Sequence, residues 1–133
     1  MDAETWRTAF TTFQEAPGRW DFLLEWARAS RCLPVYCDWT HAFGVDERGD
    51  VFAFQHETWP GHVGPREGRL TDLRLLNVVL HQGRKKHAWL DALLPSRPVD
   101  AQDCSMCGGT GAAATPDIIC YCGGAGWVPA EDT

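Results

Sequence analysis

The sequence predicts an α+β fold: a small body of helices and a β-hairpin or sheet, followed by a C-terminal cysteine-bearing hairpin unit. Three observations carry this. Apolar residues recur at helical spacing up to residue 30, and they alternate between Leu33 and Phe54. Beyond Pro98 the composition shifts to Gly, Cys and Ala.

Trp6, Phe10 and Phe13 place a first amphipathic helix over 4–14, which Ala16-Pro17-Gly18 breaks. A second helix follows over 19–30, with Trp20, Leu23, Leu24 and Ala27 on its apolar side. Val35, Cys37 and Trp39, then Phe43 and Val45, give the period of strands. Asp46-Glu47-Arg48-Gly49-Asp50 is a turn signal before the apolar run Val51–Phe54, so the two strands form a hairpin. Trp59 to Pro65 reads as a loop, because its prolines and glycines interrupt a regular ladder. Thr71 or Asp72 caps a third helix over 72–82 with Leu73, Leu76 and Leu80 on its buried stripe, and Gly83 is expected to stop it. A fourth helix is expected over 85–94, ended by Pro95. Pro95-Ser96-Arg97-Pro98 reads as a stiff connector, which divides the chain into a body over 1–98 and a tail over 99–133.

Composition narrows the function. The chain has 133 residues, seven Trp and six Phe, enough to fill a core. Its apolar runs are too short to span a membrane, and its acidic start, MDAETWRTAF, lacks a secretion pattern, so a cytoplasmic protein is expected. A net charge of −6 opposes indiscriminate nucleic-acid binding. Between Arg66 and His87, however, six basic residues face only Glu67 and Asp72, which marks either a solvated helix face or a patch for an acidic partner.

In a reducing cytosol, closely spaced cysteines are metal ligands more often than disulfides. The tail carries Cys104-Ser-Met-Cys107-Gly-Gly-Thr-Gly111, a CxxCxGxG motif, and then Cys120-Tyr-Cys122-Gly-Gly-Ala-Gly126, in which one residue separates the cysteines. Each motif sets two thiolates on a tight turn, and the glycines let the backbone fold back. Four sulfurs saturate a tetrahedral zinc and leave no position for a catalytic water. Cys104, Cys107, Cys120 and Cys122 are therefore the expected ligands of a structural zinc. A disulfide pair and a redox-active CxxC are the competing readings. Cys32 and Cys37, beside an apolar strand, are expected in the core, with a second metal site as the competing reading.

Over residues 104–127 the tail resembles the cysteine-rich zinc domain of DnaJ-type chaperones. The resemblance implies that two motifs make one site, hence one ion. That domain carries four motifs, and the His-Pro-Asp loop of a J domain is absent from this sequence, so chaperone activity is not implied. Over 20–94, helices leading into Trp-rich strands, with Phe43-Gly44-Val45-Asp46 and Val51-Phe52-Ala53-Phe54, resemble bacterial SUKH-type immunity proteins. That resemblance implies an α+β module that neutralises a toxin by binding it.

Catalytic patterns are missing. His41, His56, His62, His81 and His87 form no HExxH spacing, and His81 and His87 fall near helix ends, where a cation complements the dipole or the ring is merely solvated. Asp38, Asp46, Asp50 and Glu57 are read as solvent-facing turn and strand acids. Trp39, Trp59 and Trp127 fit either interface anchors or core. The expected function is therefore non-enzymatic binding of another protein, with Trp39 and Trp59 as anchors and a basic, toxin-like partner favoured by the charge. A nucleic-acid-binding zinc ribbon using Arg84, Lys85 and Lys86, and a thiol oxidoreductase using Cys104 and Cys107, are the alternatives.

Overall fold

Trp6 and Phe10 lie one turn apart on helix α1 (Ala3–Glu15), and this spacing buries both rings on one face, stacked 4.7 Å apart. The computed structural model describes residues 3–17, 21–38, 41–56, 63–111, 120 and 122–130. Backbone contacts group these into two compact units, Met1–Leu70 and Thr71–Thr133. Among the described residues, no helix is long and apolar enough to cross a membrane.

In the first unit, α1 and α2 (Asp21–Ser30) precede four strands: β1 (Cys32–Cys37), β2 (His41–Asp46), β3 (Val51–His56) and β4 (Val63–Arg69). The strands form an antiparallel sheet in sequence order. Among the described residues, α2 buries Leu24, Trp26 and Ala27, and the sheet buries Cys32, Leu33, Ala42, Phe43, Val45, Val51, Ala53 and Phe54. The Trp6 indole N–H donates to the Val45 carbonyl at 2.7 Å, tying α1 to β2. The β2–β3 turn is closed by Asp46, whose carboxylate accepts from the Arg48 and Asp50 amides at 3.0 and 2.9 Å.

The expected loop through Pro65 is corrected by β4, which takes in Val63, Gly64 and Pro65. Both prolines of the sheet, Pro34 and Pro65, sit on its two edge strands, the places where a backbone position without an N–H can face away from the ladder. The register also shifts in both outer pairings, at Pro34/Tyr36 between β1 and β2 and on either side of Phe54 between β3 and β4.

The second unit contains α3 (Leu73–Gly83), a 3-10 helix (Ala88–Leu93) and the short antiparallel pair β5 (Gln102–Asp103) and β6 (Trp127–Val128). Asp72 is the cap: its carboxylate accepts from the Leu75 amide at 2.9 Å. The buried residues of α3 are Asn77, Val79, Leu80 and Gly83, so the stripe is rotated from the expected Leu73–Leu76–Leu80 line. Gly83 is the last helical residue rather than a left-handed stop, and the Arg84 amide closes onto Leu80 at 3.0 Å. The expected helix over 85–94 is shortened to one 3-10 segment. Pro95 explains its end, since it disfavours helical geometry at Leu94, which is extended at φ −60 and ψ 134.

The seam read from the sequence lies at Pro95–Pro98, whereas the contact grouping divides the chain between Leu70 and Thr71. The reason is local: α3 packs against the second cysteine turn. A Cβ on Gly123 would fall 2.5 Å from the Val78 amide nitrogen and 2.9 Å from the Asn77 carbonyl carbon. Arg97 also ties the connector to β5, meeting the Asp103 carboxylate at 2.9 Å and the Ala101 carbonyl at 3.2 Å.

Candidate metal centre

The pairing of β5 with β6 brings the two cysteine motifs together. Asp103 stands opposite Trp127, and the next residue, Cys104, donates its amide to the Gly126 carbonyl at 2.9 Å. The first turn is closed by the Gly109 and Thr110 amides on the Cys104 and Cys107 carbonyls, and the second by the Gly123 amide on the Cys120 carbonyl.

The four predicted ligand sulfurs, on Cys104, Cys107, Cys120 and Cys122, all lie within 4.8 Å of one another. Across the motifs, Cys104 Sγ is 3.6 Å from Cys120 Sγ, and Cys107 Sγ is 3.8 Å from Cys122 Sγ. A tetrahedral ion with metal–sulfur bonds of about 2.3 Å needs sulfur–sulfur edges of about 3.8 Å. The cross-motif distances match that edge, and they are far longer than the roughly 2.05 Å of a disulfide. The single residue between Cys120 and Cys122 therefore does not keep the second pair out of the cluster. Four cysteines at this spacing can hold one metal ion.

Backbone amides support the sulfurs. Gly111 N–H donates to Cys107 Sγ at 3.2 Å, and Gly126 N–H donates to Cys122 Sγ at 3.3 Å, each four residues past its cysteine. Such bonds favour the thiolate, the form that binds a metal. Burial works to raise the Cys107 thiol, but the Gly111 and Gly109 amides and the Cys104 and Cys122 thiols outweigh it and bring it to about 6. Burial pushes the Cys120 thiol up to about 12, with the neighbouring thiols adding to the rise against the Cys122 amide.

The other candidates separate. Cys32 is buried as expected, whereas Cys37 is exposed rather than core, and neither belongs to the cluster. Trp127 is buried, which settles it as core. Trp39 and Trp59 lie outside the described residues. The turn acids serve structure: Asp38 accepts from the His41 amide at 2.7 Å, Asp46 closes its turn, and Asp50 meets Arg69 at 3.5 Å. Glu57, His62 and the side chain of His56 lie outside the described residues. His81 and His87 are displaced toward the neutral form, His81 by burial and then Arg84, against Asp91, and His87 by burial and then Lys86. In the basic stretch, Arg84 pairs with Asp91 at 2.7 Å and Lys85 donates to Gln82 at 2.9 Å.

In comparisons with known proteins, no family model, curated protein or solved structure matches this chain.

Sequence reasoning passed over Asn77, which lies one turn before His81 on α3. Asn77 is 1% exposed, and among the described residues neither its amide group nor the buried Nδ1 of His81 has a hydrogen-bond partner. A Cβ on Gly124 would lie 3.5 Å from the His81 side chain, so His81 borders the second cysteine turn. The available signal was an asparagine within the apolar stripe of a helix, a position polar residues rarely hold.

Proposed function

We propose that this chain is a small, cytoplasmic zinc-binding protein that acts by binding another protein, in the manner of a bacterial immunity or adaptor protein that neutralises or recruits its partner. The observation that carries the reading is the four-cysteine cluster. Four sulfurs that can share one ion fill a tetrahedral shell, so the ion holds the tail together and has no open position for substrate. Zinc is the favoured ion because four thiolates suit a borderline-soft, redox-inactive metal. A structural ion with no catalytic motif elsewhere in the sequence favours binding over turnover.

A net charge of −6 favours a basic protein partner, through faster encounter more than through tighter final binding. The order of two helices and an antiparallel sheet in Met1–Leu70 supports the likeness to SUKH-type modules as far as class, and the paired cysteine turns support the DnaJ-type likeness of the tail. Trp39 and Trp59 are the proposed anchors.

The test is capture from the native host by the zinc-loaded chain, followed by reconstitution of the purified pair. A binary complex whose association slows with added salt is expected. Trp39→Ala or Trp59→Ala is expected to weaken it by about 2 kcal/mol or more without lowering the melting temperature. Specific nucleic-acid binding at physiological salt, or turnover that Cys-to-Ser changes abolish, overturns the reading.

A further inference from the structure

Three arginines, Arg7 from α1, Arg28 from the last turn of α2 and Arg31 just past its end, line one cavity of about 360 Å³ in the first unit, beside Thr11, Gln14 and the rings of Trp6 and Phe10. None of the described residues lining it is a carboxylate. A second cavity of about 300 Å³ shares Arg31, but there Asp46, Glu47 and Asp50 balance the cations. Only the first leaves positive charge facing solvent, on a chain whose net charge is −6.

The guanidiniums are also held in place. Arg7 meets Glu47 through Nε and Nη2 at 2.9 and 2.8 Å, and Arg31 Nη2 lies 3.6 Å from the other oxygen of the same carboxylate. Arg28 Nε donates to Gln14 at 2.9 Å. The Arg31 guanidinium lies 5.7 Å from the Trp6 ring and 5.9 Å from the Phe10 ring. Among the described residues, Arg31 is the one non-glycine with left-handed backbone, at φ 57, a conformation kept where the surroundings impose it and found often at ligand clamps. A guanidinium has five N–H donors, so each arginine keeps donors free of these contacts. The side chains of Arg7 and Arg31 remain 63% and 66% exposed.

We propose that this cavity is an anion site for a phosphoryl group of the phosphomonoester class. Three guanidiniums less the Glu47 carboxylate leave two positive charges, which match a phosphomonoester dianion, and planar guanidiniums suit its oxygens. Thr11 adds a hydroxyl donor. The site lies in Met1–Leu70 and is independent of the metal and of the partner proposed above.

The test is titration of the metal-loaded full chain with inorganic phosphate at constant ionic strength, followed by NMR of backbone amides and arginine Nε–H groups. Saturable shifts confined to Arg7, Arg28, Arg31 and their neighbours are expected, with a dissociation constant in the millimolar range or below. Arg28→Gln and Arg31→Gln are each expected to weaken binding at least tenfold, while Arg48→Gln, in the charge-balanced cavity, leaves it unchanged. Arg31→Gly suits the φ of 57 without a side chain, so it separates lost binding from lost folding. Phosphoserine and a nucleoside 5′-monophosphate, titrated alongside, identify which source binds more tightly than phosphate itself. Shifts that follow ionic strength alone, or undiminished affinity in Arg28→Gln and Arg31→Gln, overturn the proposal.

Discussion

Gly111 and Gly126 occupy equivalent places in the two cysteine turns, and each is pressed against the other turn. A Cβ on Gly111 would lie 2.5 Å from the Gly124 carbonyl oxygen, and one on Gly126 would lie 2.6 Å from that of Gly109. Both are left-handed, at φ 77 and 85, and both donate an amide to a ligand sulfur. This reciprocity is what lets two short turns close on one another.

Gly111→Ala or Gly126→Ala is therefore expected to force the turns apart and lower metal affinity at least tenfold, measured by competition with a chromophoric chelator. Gly108 is a matched control. It is also left-handed, at φ 65, but a Cβ there meets nothing within 4 Å. Gly108→Ala is expected to cost only about 1–2 kcal/mol of backbone strain and to keep the metal.

One ion per chain is expected by native mass spectrometry, lost in Cys-to-Ser variants at 104, 107, 120 or 122 and kept in variants at 32 or 37. Small metal units draw their folding energy from the ion. Chelation is expected to raise hydrogen exchange in the cysteine turns and in α3, which packs on Gly123, while the sheet of Met1–Leu70 keeps its protection. Cooperative loss of protection across both units would sink this expectation.

Protons compete with the metal for thiolates, so affinity is expected to fall as pH falls. At pH 7 a Cys107 thiol near 6 is already mostly ionised in the metal-free cluster, whereas a Cys120 thiol near 12 still carries its proton. Loading at pH 7 is then expected to release fewer than four protons, with the number falling as pH rises. Calorimetry in buffers of different ionisation enthalpy measures that number.

Trp6→Phe removes the buried donor to the Val45 carbonyl and part of a side chain that is 1% exposed. A loss of roughly 2 kcal/mol or more in urea denaturation is expected, because the carbonyl is left without its partner.

Much of this was legible in the sequence. The α1 stripe, the Asp46–Asp50 turn and the four cysteines follow from spacing and turn chemistry, which act over a few residues. β4 was hidden because Pro65 and its glycines read as loop, and only its place at a sheet edge makes them admissible. The 3-10 segment was hidden because Trp89, Leu90 and Leu93 suit either kind of turn, although Pro95 did mark its end. The α3 stripe was misplaced because helical periodicity says where a face is, not what it meets. Here it meets the backbone of a glycine turn, which accommodates Asn77. The arginine cavity had no local signal at all, since residues 7, 28 and 31 converge only after α1, α2 and the start of β1 have packed.

Access to the cluster is uneven. Cys104, Cys120 and Cys122 are buried, and Cys107 is the one cluster sulfur only partly covered. An incoming ligand, whether a metal-scavenging peptide, a chelator or an electrophile, thus makes its first contact at Cys107. Exchange of a bound ion would start at this sulfur, whose nucleophilicity the Gly111 amide, donating at 3.2 Å, would temper.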